Sequence, residues 1–217
     1  MSPHRPGSTF SRSFFARPCL EVAPDLIGAY LVRTGARTRC LGRIVEVEAY
    51  LGDGSDPGSH SHRGPTARNR VMFGPPGKAY VYRSYGVHIC ANVVCEEAGR
   101  GAAVLFRAIE PLEGIELMQA RRGLSPQAPR RAISNGPGKL CQAFDVGMEF
   151  DGRSLLRGAL ALRAPGRRDP PVDVATSSRI GLSRGNDLPY RFYARGSEWL
   201  SPGRPGAAPR RTRSDDR

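Results

Sequence analysis

The sequence predicts a single α+β domain built on an antiparallel sheet with short helices around it. Residues 78–109 hold three consecutive strand-like runs separated by short turns, the pattern of a meander. Residues 43–50 hold a fourth such run, in which polar and apolar residues alternate and β-branched side chains are frequent. The helical patterns between and around these runs are short. A chain of 217 residues has room for one domain with a full-sized core. We expect that domain over residues 13–201. Residues 1–12 and the Arg/Pro-rich residues 202–217 read as arms without fixed structure.

Taken in order, Ser13-Phe14-Phe15 is expected to open one short helix and Pro24-Asp25-Leu26-Ile27-Gly28 a second. Runs 31–34 and 38–41 flank Gly35-Ala36-Arg37 as a hairpin that feeds the strand at 43–48. On that strand Glu46 and Glu48 are two apart and point to one side, which the alternation makes the polar side. Residues 52–78 form a long polar loop rich in Gly and Pro, a length uncommon in a compact domain unless the loop has a task.

The aromatic run 78–85, broken by Gly86, the run 88–95 and the run 102–109 make the meander. Leu112, Ile115, Leu117 and Met118 suggest an amphipathic helix from Pro111 to about Arg122. A loop over 123–138 leads into a short helix at 139–144, and runs 160–162, 179–182 and 190–193 are read as strands closing the sheet.

A formal charge of +13 makes an anionic partner the first expectation. Residues 1–17 and residues 204–217 each carry +3, and +7 remains on the residues between them. The cations are almost all arginine, Lys78 and Lys139 being the only lysines, and arginine suits bidentate phosphate contacts and stacking on bases. The five cysteines are odd in number and contain no CxxC pair, which fits reduced thiols better than a zinc site or a disulfide framework. No apolar run approaches the ~20 residues that cross a bilayer, and no signal-like segment opens the chain. A soluble cytoplasmic protein with no membrane association is expected.

Few residues carry obvious chemistry. Periodicity alone leaves Glu46 and Glu48 equivalent, and an ordinary edge strand looks the same. Tyr80 and Tyr82 share a strand face, where tyrosines usually pack, but beside a basic loop they also suit base stacking at about 1–3 kcal/mol each. His60 and His62 lack further ligands for a metal. Glu46, Glu48, Asp53 and Asp56 would be the acids of a metal-dependent hydrolase, although their Gly- and Pro-rich setting is unlike a dedicated cage. Asn135-Gly136-Pro137-Gly138-Lys139 before a helix is a place where a phosphate can rest on free N–H groups, and it lacks the spacing of a Walker loop. A non-catalytic nucleic-acid-binding module would share the charge and the aromatics without needing Glu48.

Val45-Glu46-Val47-Glu48-Ala49-Tyr50-Leu51, His60-Ser61, Arg68-Asn69-Arg70-Val71-Met72-Phe73, Tyr80-Val81-Tyr82-Arg83-Ser84-Tyr85-Gly86, Asn92-Val93 and Leu105-Phe106-Arg107-Ala108-Ile109-Glu110-Pro111 together resemble the alkyladenine (3-methyladenine, methylpurine) DNA glycosylases. Asn135-Gly136-Pro137-Gly138-Lys139-Leu140-Cys141 and Arg191-Phe192-Tyr193-Ala194-Arg195-Gly196-Ser197 continue the resemblance, which spans about residues 14–200 in order. It implies a curved antiparallel sheet and a monofunctional glycosylase of base excision repair. Such an enzyme flips alkylated purines from duplex DNA and hydrolyses their glycosidic bond, leaving an abasic site. The lesion is 3-methyladenine, with ethenoadenine or hypoxanthine admitted according to the size of the pocket.

The resemblance also implies roles. Glu48 is the base that activates water, with Glu46 in support. Arg107 lies near that water and the DNA backbone. Tyr50, His60 and Tyr82 stack around the flipped base, and electron-rich rings favour a cationic purine by about 0.5–2 kcal/mol. Asn92 disfavours guanine, the backbone at Ile180 helps to place the water, and Tyr85 fills the gap left in the duplex. Arg68 and Lys139 are expected on the DNA backbone. No metal or cofactor is implied, and the partner is double-stranded DNA bound by a monomer. The turn between Tyr50 and His60 is slightly longer than the family pattern, and His62 has no counterpart role.

Overall fold

The computed structural model describes residues 6–203; residues 1–5 and 204–217, and with them part of the first arm and most of the second, lie outside the described residues. Ser11 caps the first short helix, α1 (Arg12–Phe15), its hydroxyl accepting from the Phe14 N–H at 3.1 Å. The second helix, α2 (Cys19–Asp25), begins well before the position expected for it, and Pro24 lies in its last turn. Cys19, Val22, Ala23 and Leu26 are all fully buried and fall at helical spacing, so one apolar stripe carries the helix past the proline. Residues 7–9 do not hang free: the Gly7 N–H donates to the Ala164 carbonyl at 2.8 Å, and Thr9 bridges Arg163.

Eight strands form one antiparallel, curved sheet, as predicted. They are β1 (Tyr30–Thr34), β2 (Arg39–Tyr50), β3 (Ala79–Ser84), β4 (His88–Cys95), β5 (Ala102–Glu113), β6 (Leu160–Arg163), β7 (Val174–Ser177) and β8 (Arg191–Ala194). The order is β3-β4-β5-β2-β1-β6. The long strand β2 lies along β5 on one side; on the other it meets β1 over its first half and β8 at residues 46–48. The meander β3–β4–β5 is observed as read from the sequence.

Three further readings change. The helix expected from Pro111 starts only at Ile115, as α3 (Ile115–Arg121), because β5 continues through Pro111 to Glu113. Proline is tolerated there because β4 pairs β5 only over residues 102–105, which leaves that edge of residue 111 without a ladder partner. Residues 179–182 are not a strand. The sheet takes Val174–Ser177 as β7 instead, and the following segment turns away to bond the end of β2. Finally, the face carrying Glu46 and Glu48 is not a solvent face, since neither glutamate has any exposed surface.

The main core packs α2 against β2 and β5, and α4 (Pro137–Ala143) against β4 and β5. Between β2 and β5 the register slips three times, leaving Val45 on β2 and Arg107 and Leu112 on β5 without a partner opposite. All five cysteines are buried and unpaired. Among the described residues no helix is long and apolar enough to cross a membrane.

Candidate active site

Glu48 sits near the end of β2, where Tyr50, two residues on, points the same way. Its Oε2 accepts from the Tyr50 phenol at 2.8 Å and from Nη1 of Arg107 at 3.1 Å, and its Oε1 accepts from the backbone N–H of Ile180 at 2.8 Å. A carboxylate offers about four lone-pair sites. Three donors therefore leave Glu48 one acceptor position, on Oε1.

Behind it lies a charge-balanced cluster. Glu46 Oε1 accepts from Nε of Arg107 at 3.1 Å, Nε of Arg191 at 2.7 Å and the Ser201 hydroxyl at 2.7 Å, and its Oε2 accepts from the Ser201 N–H at 2.6 Å. Arg107 thus spans both glutamates, and its Nη2 reaches the Ser201 oxygen at 3.2 Å. Burial alone would loosen the guanidinium proton, but the charges of Glu48 and Glu46 overcome this and raise the Arg107 pKa. Arg107 is 7 % exposed and is committed to these carboxylates and to Ser201 rather than extended towards solvent.

The bulge at Arg107 aims this side chain, since it occurs where β5 slips against the two glutamates. The two acids that periodicity left equivalent are now distinct. Glu46 is enclosed by four donor contacts, while Glu48, itself without exposed surface, is held by Tyr50, Arg107 and Ile180, three residues that line a cavity.

That cavity, of about 770 Å³, is lined among others by Tyr50, His60, Tyr82, Tyr85, Arg107 and Ile180. Tyr80 and Tyr82 stack at 5.3 Å between centroids, and His60 meets the Tyr82 ring edge-on at 4.5 Å. Nδ1 of His60 shares a 2.9 Å hydrogen bond with the Tyr80 hydroxyl. The His60 pKa is lowered, first by burial against these rings and then by Arg68, although one side of the imidazole stays open to solvent. Burial raises the Tyr80 phenol to about 12 and the Tyr82 phenol further still, so both remain neutral. Asn92 is buried and its Nδ2 donates to the Tyr80 carbonyl at 2.9 Å, which fixes its side chain beneath the aromatic wall.

The loop that brings His60 here is tied by Asn69, whose Nδ2 donates to the His60 carbonyl at 2.8 Å and the Gly64 carbonyl at 3.0 Å. Gly52 is required at its start: a Cβ there would lie 1.9 Å from the Arg100 carbonyl oxygen.

Tyr85 stands at the mouth of the cavity, 79 % exposed, in the three-residue turn between β3 and β4. Its φ of 49° is left-handed, which is strained for a bulky side chain. Arg68 lies at the rim with its guanidinium 5.9 Å from the Tyr82 ring centre. Lys139 lines an adjoining hollow of about 440 Å³ with Tyr85, His88 and residues 135–138, and its Nζ donates to Asn135 Oδ1 at 2.9 Å. Its pKa is lowered by burial and by Arg122.

The four acids weighed as a metal cage do not converge. Asp53 accepts from Ser55, Asp56 is paired with Arg179, and the two glutamates are held by arginines. Among the described residues no group of three His, Cys, Asp or Glu side chains is placed to share a metal ion.

Ile180, expected to act through its backbone, bonds Glu48 directly. The sequence reading missed Arg179, Arg191 and Ser201. Arg191 opens one of the segments that carry the family resemblance, whereas Ser201 and Arg179 carry no local signal at all.

The family model for methylpurine-DNA glycosylase (MPG) matches residues 13–198. A protein of Nitrobacter winogradskyi is 50% identical over 199 residues, covering 90% of this chain and 88% of that protein. One of Methanoculleus marisnigri is 48% identical over 195 residues, covering 89% and 98%. One of Rhodopseudomonas palustris strain BisB18 is 51% identical over 195 residues, covering 90% and 92%. Each of the three carries the name "Putative 3-methyladenine DNA glycosylase".

Proposed function

The chain belongs to the methylpurine-DNA glycosylase family and is a DNA glycosylase, and we propose on that footing that it flips alkylated purines out of duplex DNA and excises them by direct hydrolysis. The observation that carries the reading is Glu48, fully buried, left with one acceptor site, and fixed by three donors from Tyr50, Arg107 and Ile180, all of which line an aromatic cavity.

Departure of the base builds positive charge on the sugar. An acceptor that takes a proton from water and places negative charge nearby serves both demands of that transition state. Arg107, neutralised by Glu46, holds the Glu48 side chain in place. The rings of Tyr50, Tyr82 and His60 accept the face of a purine, and a methylated purine that carries positive charge leaves readily without acid assistance. Asn92, held by its bond to the Tyr80 carbonyl, would oppose the exocyclic amine of guanine. Neither of the two lysines lines this cavity, which favours water over an amine nucleophile and hence an abasic product without strand cleavage. Tyr85 occupies the vacated stack. We propose that the protein acts as a monomer in a reducing cytoplasm, a reading that the five unpaired thiols support.

The test is single-turnover release of free base, with EDTA present, from duplexes carrying 3-methyladenine, ethenoadenine or hypoxanthine. The expected product is an alkali-labile abasic site with no nick. Glu48→Gln should still bind the lesion duplex while turning over about 10²–10⁴-fold more slowly. Wild-type protein that releases none of the three bases would refute the proposal.

A further inference from the structure

Arg179 has no exposed surface and is the largest fully buried side chain among the described residues. Its guanidinium grips Asp56, also fully buried, with Nη1 to Oδ2 at 2.7 Å and Nη2 to Oδ1 at 2.6 Å. Nη1 also donates to the Ala49 carbonyl at 3.0 Å and Nη2 to the Gly185 carbonyl at 3.1 Å. Space has been left for this group: a Cβ on Gly58 or on Gly185 would come within 2.9 or 3.0 Å of Nη2. The guanidinium therefore ties the end of β2 and the loop that carries His60, which follows it directly, to the segment after β7 more than 120 residues on.

Two of its neighbours belong to the site. The next residue, Ile180, gives its N–H to Glu48 at 2.8 Å. The guanidinium carbon lies 4.6 Å from the Tyr50 ring centre, and since Arg179 is wholly buried it backs the ring away from the cavity that Tyr50 lines. Stability alone does not account for such a group. A buried ion pair commonly does no better than apolar side chains of equal volume, and Nε of Arg179 finds no partner. What a forked guanidinium supplies is direction.

We infer that Arg179, clamped by Asp56, is a positioning residue that sets the Ile180 N–H against Glu48 and backs the Tyr50 ring. The inference rests on the glycosylase reading above. Arg179→Lys keeps the charge and loses the fork; Asp56→Asn keeps the shape and loses the charge. Both are compared with wild type for thermal melting, for the dissociation constant of a hypoxanthine-containing duplex, and for the single-turnover rate at saturating enzyme.

The expected result is a rate about 10- to 100-fold lower with the dissociation constant within about threefold of wild type, and a double variant no slower than the worse single one. Where only one variant folds, its rate and affinity decide. An unchanged rate, an equal loss in rate and affinity, additive losses, or the failure of both variants to fold would each overturn it. Wild type run alongside on duplexes carrying 3-methyladenine, ethenoadenine or hypoxanthine separates the two readings: if it releases none of the three bases the glycosylase proposal fails, whereas normal release with an unaffected Arg179→Lys protein removes only the clamp.

Discussion

The phenol of Tyr50 donates to Oε2 of Glu48 across 2.8 Å, between residues two apart on one face of β2. Burial first and the Glu48 charge second raise the phenol's pKa well above the ordinary value, so it remains a donor at any physiological pH. Tyr50→Phe keeps the ring that a base would stack on and removes that donor. Losing a hydrogen bond to a charged group should slow single-turnover excision by about tenfold or more. Affinity for the lesion duplex should barely move. A rate within twofold of wild type would show that the phenol does not help to hold the carboxylate.

Glu46 offers a stability test of the cluster behind the site. Glu46→Gln leaves the guanidinium groups of Arg107 and Arg191 facing one carboxylate in place of two. Breaking one partner out of a buried ion cluster costs about 3–5 kcal/mol. For a chain of this size that corresponds to a melting temperature lower by roughly 10 °C. Calorimetry at neutral pH reads this directly, and a melting point within 2 °C of wild type, by rough allowance, would mean that the glutamine rebuilds the network.

Tyr85 should separate folding from flipping. Its side chain is 79 % exposed and its backbone is left-handed, so Tyr85→Gly relieves strain and should raise stability by about 1 kcal/mol. The same variant lacks the side chain proposed to fill the gap in the duplex. Excision of a lesion paired in duplex should fall several-fold more than excision of the same lesion already unpaired in a bulge. Equal losses on both substrates would argue against insertion into the stack.

The His60 imidazole gives a pH signature. Its folded pKa lies below the reference value of 6.5, burial being the main cause and Arg68 the second. The unfolded chain therefore takes up the proton more readily than the folded one. The stabilising difference is present above pH 6.5 and is lost as the pH falls through that value towards the lower folded pKa. His60→Gln should flatten this part of the decline in melting temperature on acidification. Parallel acid limbs for the two proteins would place the sensitivity elsewhere.

Local information in the chain was enough for the meander, for the strand ending in Glu48 and Tyr50, and for the aromatic wall, because alternation and turn chemistry act over a few residues. It misled where a strand is covered on both sides. Glu46 and Glu48 read as a polar face because alternation says nothing about Arg107, Arg191 and Ser201, which arrive from 59 to 155 residues away. Arg179 and Asp56 are 123 residues apart, Asp56 in a polar segment that reads as a loop and Arg179 at the head of a run that reads as a strand. Their pairing exists only once the loop and the segment after β7 are folded over the end of β2. Pro111 looked like a helix start because its setting at an unpaired strand edge is a property of the neighbouring strand.

The paired slips at Val45 and Arg107 act on the chain as a change of parity. Along β2 the residues facing the main core are even-numbered up to Ile44 and odd-numbered from Val45 onward; along β5 the even run 102–108 gives way at Ile109. The two offsets cancel, so hydrogen-bond pairing resumes in step beyond them, yet each strand has exchanged its inner and outer sides. Removing Val45 alone would leave the count one short: it would turn Glu46 and Glu48 into the hydrocarbon layer and present Val47 and Ala49 to the cavity. The arrangement around Glu46 and Glu48 thus depends on one residue whose own side chain belongs to the main core, through arithmetic rather than chemistry.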